Sequence, residues 1–201
     1  MEEQLSLKQT AEELTRVKGN SRGEIIRTHG LFISYKKGEE GLTAAEKKMA
    51  EIGYPLVFKD IKPLDWYPEA LSVLVILVSR EIFGWTEADV EEMGNNAPKY
   101  SLIVKMVMKY FFSLERCLKE SPKYWDYHYD FGSIEVAGFD KKAQQVFIRI
   151  NDYKFHPIVC AFYRGYFKRI AQLVISNQGI ACEEVKCAFK GDVYYEYKIS
   201  W

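Results

Sequence analysis

The chain has 201 residues, enough for one domain with a substantial core, and 48 % of them are apolar, so such a core needs no disulfides. Its 28 basic and 28 acidic residues balance, which excludes the broad positive surface that nucleic acid or anionic membrane binding leaves. Met1-Glu2-Glu3-Gln4 lacks the character of a secretory signal, and the longest apolar run, Leu71 to Val78, falls far short of the ~20 residues of a membrane span; the expectation is a cytoplasmic protein whose four cysteines are reduced.

In chain order, Leu5, Leu7, Ala11 and Leu14 space a helix over residues 2 to 16, ended by Gly19-Asn20-Ser21, so residues 1–20 read as an N-terminal helical extension and 21–201 as one domain. Residues 23 to 36 fit both a helix and an alternating strand; helix is favoured. Thr43-Ala44-Ala45-Glu46 has the spacing of a capping box and predicts a helix to about Ile52. An apolar helix follows over 67 to 83, then a short one capped by Thr86 and running to about Gly94. After Pro98 a long amphipathic helix is predicted, with Ile103, Val107, Tyr110, Phe111, Leu114 and Leu118 on one face.

From about residue 127 the period changes to two. Ile134 and Val136, then Val146, Ile148 and Ile150, alternate with polar or outward residues around the turn Gly138-Phe139-Asp140, which is a hairpin. Pro157, suited to a first helical turn, opens a helix to about Ser176 with His156 as its cap and a stripe containing Phe162, Tyr163 and Tyr166. A closing hairpin pairs the segment around Cys182–Cys187 with Val193, Tyr195, Tyr197, Ile199 and Trp201, which are expected to face the helices. The fold class is α+β: an antiparallel sheet built mainly by the C-terminal half, β-β-α-β-β, on a layer of helices.

No phosphate loop, nucleophile elbow or metalloprotease signature occurs, so no nucleotide and no catalytic residue is expected. Of the three histidines, His29 reads as a core or surface residue, His156 as a cap, and His128 as either an aromatic rim or a catalytic group. Cys160, Glu184 and Cys187 are soft or acidic groups that can converge on the closing hairpin. Cys160 is placed in a first helical turn, where the dipole lowers a thiol pKa. Both cysteines serve equally well as small core hydrophobes. Glu184 and Cys187, three apart, need a bulge to share a side.

Cys160 before Gly165-Tyr166, the Glu184-x-x-Cys187 pair, Gly191-Asp192 and the closing Tyr197-x-Ile199-x-Trp201 together resemble the 4-vinyl reductase domain. That small-molecule-binding module also occurs in phenol-sensing bacterial transcription activators and is related in fold to trafficking-particle subunits of the Golgi tethering complex. The resemblance implies Zn²⁺ at Cys160, Glu184 and Cys187, with Tyr195 where the phenol sensors carry a fourth, cysteine ligand. It also implies a pocket between helices and sheet. A haem-based nitric-oxide sensor group is a more distant cousin in fold; its proximal-histidine context and Tyr-x-Ser-x-Arg motif are missing here, so no haem is expected.

The first reading is therefore a non-enzymatic sensor, a homodimer that holds a small apolar or aromatic molecule among some of Trp125, Tyr127, Phe162, Tyr163 and Tyr166 and acts through a partner protein. An assembly subunit without ligand and a reductase-like enzyme remain open beside it.

Overall fold

The structure, a computed structural model, describes residues 5–108, 113–176 and 179–201. Helix α1 (Leu7–Leu14) opens with a reciprocal cap between Ser6 and Gln9 and buries Ala11 and Leu14, packing on α3. A short antiparallel ribbon pairs β1 (Asn20–Arg22) with β2 (Trp66–Pro68). Between them runs α2 (Gly23–Glu51), which settles residues 23 to 36 as helix. It is interrupted at Gly38, whose φ of 68° and ψ of −172° suit only glycine. The capping box expected at Thr43 is absent: its hydroxyl donates back to the Glu39 carbonyl, and the Glu46 carboxylate instead accepts from the Phe58 amide in the 3-10 turn Phe58–Asp60.

Helix α3 (Glu69–Phe83) is apolar nearly all round and is buried accordingly. Helix α4 (Glu87–Tyr100) does start at Thr86, where the Asp89 carboxylate accepts from the Thr86 amide and hydroxyl, but it continues through Pro98 rather than stopping at Gly94. The long helix expected after Pro98 is two helices, α5 (Leu102–Met108) and α6 (Leu114–His128). The expected face positions Tyr110 and Phe111 lie outside the described residues.

The sheet has the order β3 (Ser133–Asp140), β4 (Gln145–Asn151), β6 (Tyr195–Ser200), β5 (Ala181–Lys186), all antiparallel, and α7 (Val159–Val174) carries the chain from β4 to β5. The β-β-α-β-β arrangement and the α+β class hold. Val146, Ile148 and Ile150 on β4 and Tyr195, Tyr197 and Ile199 on β6 are buried. Val193 is not: it precedes the strand and is 90 % exposed, and Trp201 is only partly covered. Helix α7 is sandwiched between the sheet and α4. The α4–α7 crossing is close because Gly94 faces the Phe162 carbonyl and Gly165 faces the Glu91 carbonyl, where a Cβ on either glycine would overlap backbone. The Arg164–Glu91 pair at 2.7 Å and the bond from Arg169 Nη2 to Asn95 Oδ1 at 2.6 Å flank this crossing.

Candidate functional site

Helices α5, α6 and α7 do not fill the space above the sheet. They leave a cavity of about 130 Å³ whose surface is almost wholly apolar. Ile134, Val146, Ile148 and Ile199 form its sheet side, and Trp125, Phe162, Tyr163 and Tyr166 its helical side. Four of the five expected ligand-binding residues are therefore brought together. The fifth, Tyr127, is not on the wall and is 55 % exposed. Two positions along α6 turn a side chain through some 200°, so Trp125 and Tyr127 cannot share a face.

The aromatic wall is held rigidly. Trp125 stacks on Tyr129 at 4.4 Å between ring centroids and donates through Nε1 to the Phe131 carbonyl at 2.8 Å. The Tyr163 hydroxyl donates to that of Tyr129 at 3.2 Å.

One end of the cavity is polar, and sequence reasoning missed the residue that organises it. Glu24, in the first turn of α2, is 3 % exposed; it accepts from the Ser101 hydroxyl at 2.5 Å and from the amides of Leu102 at 3.0 Å and Ile103 at 3.3 Å, and His128 Nε2 meets it at 3.1 Å. Burial pushes its carboxyl up, but the bonds from His128 and Ser101 outweigh this and hold it below its ordinary value. His128 Nδ1 faces the Tyr124 carbonyl at 2.8 Å. Both ring nitrogens are thus engaged by oxygens of the cluster and of α6 itself. The signal for Glu24 in the sequence was an acid set directly before Ile25-Ile26. His128 lines the cavity beside Tyr129 and is the buried hydrogen-bond partner of Glu24.

Cys117 also lines the cavity, one turn after Leu114 on the apolar face of α6, and burial pushes its thiol up to about 11. His29 is a core histidine, held neutral by burial, which lowers it to about 3, and bonded to Ser72 at 3.1 Å. His156 Nδ1 accepts from the Ile158 amide at 3.1 Å, but α7 begins at Val159 with Ile158 at its N-cap, so the helix starts later than the expected Pro157 and His156 is not its cap residue.

Cys160, Glu184 and Cys187 converge away from this cavity. One ligand atom from each lies within 4.8 Å of the others, and the two sulfurs are 3.8 Å apart. The bulge this needs is present: the β5–β6 register shifts between Glu184 and Lys186. Val185 on β5 and Phe189 in the turn that follows are exposed, while Cys187 between them is buried. The Cys160 thiol is not activated by its helix. Burial, then the neighbouring Glu184 carboxylate, push it up.

No protein-family model matches the sequence, and no characterised protein matches it. Solved structures do match in three dimensions. An H-NOX protein from S. oneidensis in the Fe(II)NO ligation state superposes with a TM-score of 0.67 at 14 % identity, covering 89 % of this chain and 98 % of that one. An oxygen-binding H-NOX domain related to soluble guanylate cyclases gives 0.63 at 13 % identity over 89 % and 94 %. A structure solved to study haem redox potential modulated by porphyrin distortion gives 0.63 at 12 % over 90 % and 99 %. The likeness is one of fold.

It corrects two expectations. Solved structures of the distant-cousin group share this architecture, and two of them are described by their haem and their Fe(II), so the expectation of no haem does not stand. The expectation of zinc does not stand either. The groups named for those structures are different, and Cys160, Glu184 and Cys187 supply three donors where a structural zinc takes four. Tyr195 occupies the remaining position with its phenol pushed up by burial. Nothing in the comparisons singles out the 4-vinyl reductase domain.

Iron is held in proteins by imidazole, thiolate or phenolate, and the wall offers Cys117, beside His128 with both nitrogens already engaged. The donor set fits an iron ligand. Among the described residues no Lys or Arg lines the cavity, so haem carboxylates would have to reach beyond these walls. The volume suits a single ring, being close to the ~150 Å³ of an engineered apolar cavity that takes up benzene.

Proposed function

We propose that the chain is a small-molecule sensor domain that holds an uncharged apolar or aromatic ligand of about one ring in the cavity between α5–α7 and the sheet, and that it transforms nothing. The observation that carries this is the cavity itself: a nearly unbroken apolar wall, rigid aromatic sides and a single polar end where Glu24 and His128 already partner each other. A charged ligand would gain no partner there, whereas a ring gains contact on all sides. Output passes to a partner protein, and the active form is a homodimer.

A second reading, favoured by the fold likeness and by Cys117, is haem in an enlarged version of the same cavity. Bound haem would supply an iron centre for a diatomic gas, with Cys117 as the group holding it. One experiment separates the two: thermal unfolding of the purified chain with toluene, phenol, indole or haemin added, together with visible spectra of the haemin sample. A ligand at a hundred times its Kd stabilises by ~2.7 kcal/mol, or roughly 5–10 °C for a chain of this size. A rise with the single-ring compounds alone supports the first reading. A rise with haemin and a spectrum altered in Cys117→Ser supports the second, and a midpoint moved by none of them removes both.

A further inference from the structure

Beneath the aromatic wall lies a carboxyl group that the cavity reading does not use. Glu69, at the first position of α3, is 2 % exposed. Its Oε1 accepts from the Tyr153 hydroxyl at 2.6 Å, and its Oε2 has no partner. The Ser21 hydroxyl on β1 is also buried and unpartnered. The elements around Glu69 present Ser21 from β1, Ser72 from α3 itself, His29 from α2, Tyr129 from the end of α6, Tyr153 from the segment after β4, and Tyr163 from α7. All are neutral: His29 is held so by burial, the phenols are pushed up by theirs, and no salt bridge to Glu69 exists among the described residues. A carboxylate here would have only the Tyr153 phenol, the neighbouring Ser21 and Ser72 hydroxyls and the positive end of α3 to replace its lost hydration.

The three tyrosines run from this carboxyl to the cavity. Tyr153 meets Tyr163 edge to face at 5.4 Å, the Tyr163 hydroxyl donates to Tyr129, and Tyr163 and Tyr129 both line the cavity. Tyr163 donates in that last bond, which leaves the Tyr129 hydroxyl hydrogen free to turn toward the cavity that Tyr129 lines.

We propose that Glu69 is a proton-uptake site coupled to the cavity through the hydroxyls of Tyr153, Tyr163 and Tyr129, so that ligands carrying a hydrogen-bond acceptor bind more tightly once it is protonated. When Glu69 is ionised, Tyr153 must donate to it. When it takes up a proton, its own O–H can turn to the unpartnered Ser21 hydroxyl, and Tyr153 is released to donate to Tyr163. Every bond in the chain then points toward the cavity, and such aligned bonds reinforce one another. The last donor, Tyr129, is strengthened toward an acceptor on the ligand. Burial pushes the Glu69 carboxyl up to about 7, which places the change near neutral pH.

The coupling to ligand rests on the cavity reading, while the proton site does not, and the test keeps them apart. Infrared difference spectra of the ligand-free chain between pH 5 and pH 9 should show a protonated carboxyl band that titrates near neutrality. It should be absent in Glu69→Gln, and its midpoint should move in Tyr153→Phe and in Tyr163→Phe. No such band overturns the proton site, and a band that ignores Tyr163→Phe overturns the link to the cavity. With acetophenone, which has a carbonyl acceptor, affinity should rise several-fold from pH 8 to pH 6 in the wild type and stay flat in Glu69→Gln. Toluene, which has none, should be insensitive to pH in both. Acetophenone bound equally well at both pH values would refute the coupling, and failure of both probes to bind would tell against the cavity reading while the infrared result still decides Glu69.

Discussion

Removing His128 tests whether the Glu24 cluster holds the helical layer together. Glu24 joins three segments distant in sequence: the start of α2, the start of α5 through the Leu102 and Ile103 amides, and the end of α6 through His128. Deleting the partner of a buried carboxylate commonly costs about 3–5 kcal/mol, because that charge is left less compensated. In His128→Ala the carboxylate retains the Ser101 hydroxyl and two amides, so the loss should lie at the lower end, about 3 kcal/mol, or a fall of roughly 6–12 °C in midpoint. Glu24→Ala removes the acceptor from all four donors at once and should cost more. The double variant should cost less than the sum of the two singles, since neither partner is then stranded. Urea unfolding at pH 7 measures all three. A His128→Ala loss below 1 kcal/mol, or strict additivity, would show that the pair is not a shared buried interaction.

The same cluster sets an acid response. The Glu24 carboxyl is held below its ordinary value, so its stabilisation is complete above the unfolded value near 4.5 and is lost as pH falls through the lower folded one; midpoints measured from pH 6 downward should show acid destabilisation that is smaller in Glu24→Gln. Gly165→Ala should destabilise by at least the ~1–3 kcal/mol of an overpacked core, because the new methyl meets the Glu91 backbone rather than a movable side chain; an unchanged urea midpoint would mean that the α4–α7 crossing is looser than described. Cys160, buried and with its thiol pushed up, should resist alkylation by iodoacetamide at pH 8 until the chain is unfolded, read by mass spectrometry of the labelled peptide. Tyr127→Ala should leave any ligand-induced rise in midpoint intact, whereas Phe162→Ala should reduce it, since only the second side chain lines the cavity.

Period and alternation carried most of the architecture. Val146, Ile148, Ile150 and Tyr195, Tyr197, Ile199 could be placed on one face of a sheet because a strand's period leaves no other face for them. What failed was local punctuation. Thr43 and Glu46 have cap spacing, yet lie inside a helix that continues past Gly38, and Pro98 lies inside α4 because nothing in a single sequence distinguishes a helix start from a tolerated interior proline. The cavity wall was half legible. Phe162, Tyr163 and Tyr166 follow from a helical stripe, while Glu24 and Cys117 become site residues only through tertiary placement that no spacing rule reports.

The strand order also bears on how the chain is made. β6 lies between β4 and β5, so β4 must wait for a partner that emerges 44 residues after its own last residue. At synthesis rates of about 5–20 residues per second, the β3–β4 hairpin spends on the order of 2–9 s with one edge and its apolar face uncovered. During that interval β4 presents Val146, Ile148 and Ile150 beside unpaired backbone groups, which is what attracts other extended chains. Newly made protein is thus at greatest risk of association before α7 folds over the hairpin, and conditions that slow translation between Asn151 and Tyr195 should lower soluble yield without altering the stability of the finished molecule.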